Sequence, residues 1–178
     1  MSSATNQAGG HIVVKAEREV AYNSPDHLMP WGTRSDNSRN LRFNQKLYHL
    51  FPKQENPIAV LDIGCSGGGF VKSCLDDGCL AVGLEGSDFS KKRRRAEWAT
   101  IPDFLFTCDV TRDFEIMLDD GNPRALRAER SSYDGKSQKR IQFDIVTAWE
   151  VMSTSRPKIC EDLQKTLKST LSPLVCGL

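Results

Sequence analysis

A glycine-rich turn and three acids are the residues of this chain whose types and spacing could do chemistry. In VLDIGCSGGGF (60–70) an apolar run carries Asp62 and then meets Gly64, Gly67, Gly68 and Gly69, with Cys65 and Ser66 between them. Bare backbone after a strand lets the chain approach a ligand closely, and the N–H groups of a following helix add oriented donors. The dinucleotide fingerprint G-x-G-x-x-G is not met. Counted from Gly64 the run is G-C-S-G-G-G, so Ser66 stands where the middle glycine belongs. An acid beside the loop also disfavours a pyrophosphate and favours a ligand that carries positive charge. Glu85 closes a second apolar run about 20 residues on, where an acid accepts hydrogen bonds from both ribose hydroxyls. Asp109 repeats the pattern in a third run, FLFTCDV.

The elements that must position these residues are legible from periodicity. IAVLDI (58–63) is continuously apolar, as a strand buried on both faces requires. GFVKSCLDDG reads as a helix with Phe70, Val71, Cys74 and Leu75 on one side and Gly78 just past its end. CLAVGLE (79–85), FLFTCDV (104–110) and QFDIVTAW (142–149) are the next strands. GSDFSKKRRRAEWATI is predicted to turn into a helix capped by Ser87, Asp88 or Ser90. ICEDLQKTLKSTL, with Ile159, Leu163, Leu167 and Leu171 four apart, is helical as well. Strands alternating with helices give βαβ units and a parallel sheet, an α/β fold. Upstream, Phe43, Leu47, Leu50 and Phe51 mark one face of a helix capped by Asn37 or Ser38 and stopped by Pro52. Residues 1–36 are expected to form an extension whose first ten residues are disordered. Residues 37–178 form the domain, with a charged insertion near 115–141 in which FEIMLDD reads as partly helical.

Composition bounds the rest. At 178 residues the chain holds one domain, and 39% apolar and 26% charged residues are ordinary for a globular protein. A net charge of +1 supplies no global field toward nucleic acid or membrane, so neither is an expected partner. No apolar run approaches the roughly 20 residues of a membrane span. MSSATNQAGG has no apolar core of a secretory signal. Six cysteines form no C-x-x-C pair and cluster with no histidine, so no metal site is expected. Four of them sit in apolar segments, where a free thiol acts as a small hydrophobe, so a reducing, cytoplasmic setting is expected. The run KKRRR (91–95) reads as a solvated helix face, and Trp98 as core.

LDIGCSGGGF resembles the first motif of class I S-adenosylmethionine-dependent methyltransferases, in which an acid precedes the glycines. FDIVTAWEVM resembles that family's motif after strand four, and together the motifs cover roughly residues 58–152. GLEGSDFSKKRRRAEW, LFTCDV, TAWEVM and the lead-in WGTRSDNSRNLRFNQKL are similar to a less-characterised group of these domains. The resemblance implies a Rossmann-like doubly wound parallel sheet and S-adenosyl-L-methionine as cofactor. It implies a binding set of Asp62, Gly64, Cys65, Ser66, Gly68, Glu85, Gly86, Asp109, Val110 and Trp149. Asp109 would hold the adenine amino group, while Trp31 and Asp36 would belong to a lid. The implied activity is methyl transfer to an unidentified acceptor, a small molecule being favoured.

Each acid also has a plain structural role open to it. Asp62 is a possible cap or loop organiser, Glu85 a surface acid at a strand end, and Asp109 a turn former ahead of Thr111. Trp149 either lines the site or packs. Two departures stand out. The resembling group continues after WEVM with an acid and a histidine, whereas this chain reads WEVMSTSRP and holds only His11, His27 and His49, all before the core. No general base is assigned, and Glu150 is the remaining candidate. The chain also stops at LSPLVCGL, about where a fifth strand would begin. Either PLVCGL forms a short strand, or the sheet lacks its last strands and strand four becomes an edge open to a second copy. A relative of this kind could instead serve as a catalytically impaired cofactor-binding or interaction module.

Overall fold

The computed structural model describes residues 11–51, 57–119 and 138–148. In chain order these form strand β1 (His11–Ala16), short helices α1 (Pro25–Leu28) and α2 (Trp31–Ser35), and helix α3 (Leu41–Leu50). Strand β2 (Ala59–Ile63), helix α4 (Gly69–Asp76), strand β3 (Leu80–Glu85) and the one-turn helix α5 (Phe89–Lys92) follow. Strands β4 (Leu105–Thr107), β5 (Phe114–Asp119), β6 (Gln138–Arg140) and β7 (Ile145–Thr147) complete the set.

Four strands make a parallel sheet in the order β4-β3-β2-β7. Every residue of β2 is buried, which is why its sequence is a continuous apolar run. Asp62 lies opposite Gly83 on one side and Thr147 on the other, and Glu85 lies opposite Thr107. Parallel register therefore brings the carboxyl ends of all four strands to one edge. The strand order changes direction at β2, which is where such sheets open a crevice.

One face of the sheet packs Val60, Ala81 and Leu105 against Phe70, Val71 and Cys74 of α4 and against Trp98, with Phe43 and Leu47 of α3 behind them. The helix α4 starts after Gly68 and is followed by Gly78, both at φ +86, conformations that glycine adopts at no steric cost. The other face packs Leu61, Ile63, Val82 and Leu84 against Ile12, Phe114, Ile116 and Phe143. Among the described residues this second face is covered by an antiparallel sheet, β1-β5-β6, rather than by a helix.

The described part of the segment expected to be partly helical, FEIMLD (114–119), is thus strand β5. Phe114 and Ile116 are buried while Glu115 between them is exposed, a period of two, and β1 pairs along its full length from Ala16↔Phe114 to His11↔Asp119. The span expected as a charged insertion begins and ends in strands, and residues 120–137 lie outside the described residues. The cap of α3 is Asn40, whose Oδ1 accepts from Phe43 N at 3.1 Å, and not Asn37 or Ser38. The basic segment does not continue as a helix beyond Lys92. Arg94 and Ala96 take φ +49, and the chain goes on as a 3₁₀ turn over Ala96–Ala99. The helix expected at 159–171, the short strand weighed for PLVCGL, and the presence or absence of further strands lie outside the described residues.

Candidate functional site

The turn leaving β2 is left-handed at Gly64 (φ 75), Ser66 (φ 47) and Gly68 (φ 86). Ser66 is its hub. Its N–H donates to Glu85 Oε2 at 2.8 Å, and its carbonyl accepts from the indole Nε1 of Trp98 at 2.8 Å. Its hydroxyl lies 3.0 Å from Asp36 O and 3.3 Å from Thr33 O, serving one of them at a time. The Arg95 guanidinium donates to Asp36 O and reaches the Ser66 hydroxyl at 3.3 Å. Segment 36–37 lies directly on the glycines. A Cβ at Gly67 would stand 2.7 Å from Asp36 O, and one at Gly69 would strike Asn37 O. The same segment is pinned downstream by Arg39, which donates to Glu97 Oε1 at 3.0 Å. These contacts explain the broken basic helix: Arg95 and Trp98 turn inward to hold the loop, and long-range bonds override local propensity.

Asp62 is buried and accepts from Thr147 Oγ1 at 2.7 Å. Burial pushes its carboxyl up to about 7. The Thr147 bond opposes that, and the charges of Glu85 and Asp36 add to it. Glu85 accepts from Ser66 N through Oε2 and from Ser87 N through Oε1 at 3.0 Å. Burial raises its carboxyl too, against the pull of those backbone donors. Neither carboxylate has an ion pair among the described residues. A carboxylate has about four lone-pair directions, so each keeps acceptor capacity.

Asp109 does form the turn open to it: Oδ1 accepts from Thr111 N at 3.2 Å and from Thr111 Oγ1 at 2.6 Å. Its Oδ2 stands 3.7 Å from Arg18. Residues 18–21 cross the ends of β3 and β4, with Asp109 N donating to Arg18 O and Ala21 N to Gly86 O, each at 2.9 Å. Cys65 is buried under the turn, its thiol raised by burial, and its Sγ would lie 2.8 Å from a Cβ at Gly83. Val110 is half-buried beside Asp109.

The residues singled out from sequence thus share one edge: Asp62, Gly64, Cys65, Ser66 and Gly68 around β2, Glu85 and Gly86 after β3, Asp109 and Val110 after β4. Trp149 and Glu150 lie outside the described residues. Of the expected lid, Asp36 touches the turn through its carbonyl, while Trp31 is two-thirds exposed on α2. Sequence reading missed Thr147, Arg95, Asn37 and the second role of Trp98. Only Trp98 carried a signal, since a buried indole N–H needs an acceptor. No cluster of metal-ligating side chains occurs among the described residues, nor does any helix there have the length and apolarity to cross a membrane.

A parallel sheet whose loops gather at one edge around a glycine turn and buried acids defines an α/β domain of the Rossmann-like type. Residues 35–173 match the family model described as a methyltransferase domain, and the chain belongs to that family. No curated protein and no solved structure matches it.

Proposed function

We propose that this methyltransferase domain uses S-adenosyl-L-methionine and passes its methyl group to a small-molecule acceptor in the cytoplasm. The observation that carries the reading is the pair Asp62 and Glu85, two buried carboxylates with no ion-pair partner among the described residues. Such a pair is costly alone and suits a ligand with positive charge, not a pyrophosphate.

When bound, the cofactor would supply a methyl group activated by its sulfonium. The chain's own part is position and dryness. Glu85 would take the ribose hydroxyls on its remaining lone pairs, and ionised Asp62 would balance the cationic end. Asp109 would offer Oδ2 toward the adenine, and segment 36–37 with Asn37 would keep water from the glycine turn. Self-association through β7, which pairs only with β2 among the described residues, belongs to the same reading.

Calorimetry tests this. S-adenosylhomocysteine should bind and NAD should not, and Glu85→Ala should weaken binding by about tenfold or more, the scale of a lost hydrogen bond to a charged group. Affinity for S-adenosylmethionine should also fall below pH 7, by at most about tenfold per pH unit, because Asp62 then protonates and no longer attracts a cation. A folded chain that ignores S-adenosylhomocysteine sinks the proposal.

A further inference from the structure

The basic run 91–95 plays no part in the proposed methyl transfer beyond Arg95, and most of it is accounted for inside the molecule. Lys91 reaches Thr107 Oγ1 at 3.5 Å, Lys92 pairs with Asp88 at 2.8 Å, and Arg95 turns inward to Ser66. Arg93 does something else. Its guanidinium lies over the Phe89 ring, 4.6 Å from the centroid. Across the same groove Arg34 lies over the Trp31 indole at 5.1 Å.

Arg34, Arg93, Trp31, Phe89, Leu28 and Met29 line a cavity of about 370 Å³, within the roughly 300–1,000 Å³ of small-ligand sites. Leu28, Met29 and Trp31 are 68%, 67% and 67% exposed, an apolar patch gathered where α1 passes into α2. No acid lines the cavity, and neither arginine has an ion pair among the described residues. A guanidinium held on an aromatic face keeps its edge donors free and is preorganised for an oxyanion. Two such pairs on one apolar groove are complementary to a flat hydrophobic body bearing a negative group. The position also matters. Helix α2 gives Trp31 and Arg34 to the groove, while Thr33 O and the adjacent Asp36 O meet the Ser66 hydroxyl.

We propose that the groove between α1–α2 and α5 binds a small planar aromatic carboxylate, its ring on the Leu28, Met29 and Trp31 wall and its carboxylate on Arg34 and Arg93. This binding is separate from the cofactor reading and would stand if that reading failed.

The test is calorimetric titration of the full chain, without cofactor, using 2-naphthoate and its neutral isostere 2-naphthamide. The acid should bind about tenfold more tightly than the amide, and Arg34→Gln and Arg93→Gln should each weaken it by about fivefold. The amide's affinity and the far-ultraviolet dichroism should stay unchanged in both variants. Equal affinity for acid and amide, indifference to both substitutions, or no binding of naphthoate overturns the proposal. So does a single-stranded oligonucleotide that binds through the same two arginines, with a steep salt dependence, when naphthoate does not.

Discussion

The parallel and antiparallel sheets share one hydrophobic cluster, yet they treat polar residues in opposite ways. In β2 and β3 the backbone is buried on both faces, and the polar side chains they carry, Asp62 and Glu85, are buried with it near the strand ends. In β5 Glu115 faces water and pairs with the exposed Arg140. A two-faced burial leaves nowhere for a charge except where the fold bears its cost; a one-faced sheet sheds its charges to solvent. The proposed site and its raised carboxyls therefore lie on the first sheet, and plain stability on the second.

Substitutions can break or sharpen that contrast. Ile116→Ala removes a fully buried side chain from β5 and should cost about 2–5 kcal/mol in urea unfolding. Affinity for S-adenosylhomocysteine, measured on the folded fraction, should not change; a parallel loss would erase the division of labour. Asp62→Asn should act in the opposite sense. The native carboxyl is raised from 3.8 to about 7, so its contribution to stability is whole below pH 3.8 and is lost as pH rises through 7. At pH 8 the ionised group costs the fold up to about 4 kcal/mol, and the variant should be more stable by as much as that. The advantage should shrink toward zero near pH 4, while affinity for S-adenosylmethionine falls at pH 8. Urea titrations at pH 8, 6 and 4.5 would read it, and a variant no more stable at pH 8 would mean Asp62 carries no burial cost. The smallest effect belongs to Arg140→Gln. Both partners of that ion pair are 45% exposed, so about 1 kcal/mol is the ceiling, and ligand affinity should not move.

What could be read from the sequence was local. β2, the glycine turn, α4 and β3 announce themselves by continuous apolar runs and by glycines at both ends of one helix. Strand β5 did not, because its partner β1 lies at the far end of the described chain and its alternation is short. The broken basic helix was hidden for the same reason: Arg95 and Trp98 are claimed by Ser66, distant in sequence. Asn37 and Ser38 looked like caps by type, but Asn37 presses on the glycines and Ser38 N donates to Asp36 Oδ1 at 3.0 Å, leaving Asn40 to start α3. At Asp109 sequence offered two roles, and the bonds to Thr111 occupy one oxygen and leave the other facing Arg18.

Ser66 holds a left-handed backbone that glycine would adopt freely, at a cost of about 1 kcal/mol. In return its hydroxyl meets the carbonyls of Asp36 and Thr33 while its own carbonyl is held by Trp98. The turn and the segment above it are therefore tied together at Ser66, with Arg95 and the Arg39–Glu97 pair as further fastenings, so a change at Ser66 is felt on both sides of that contact.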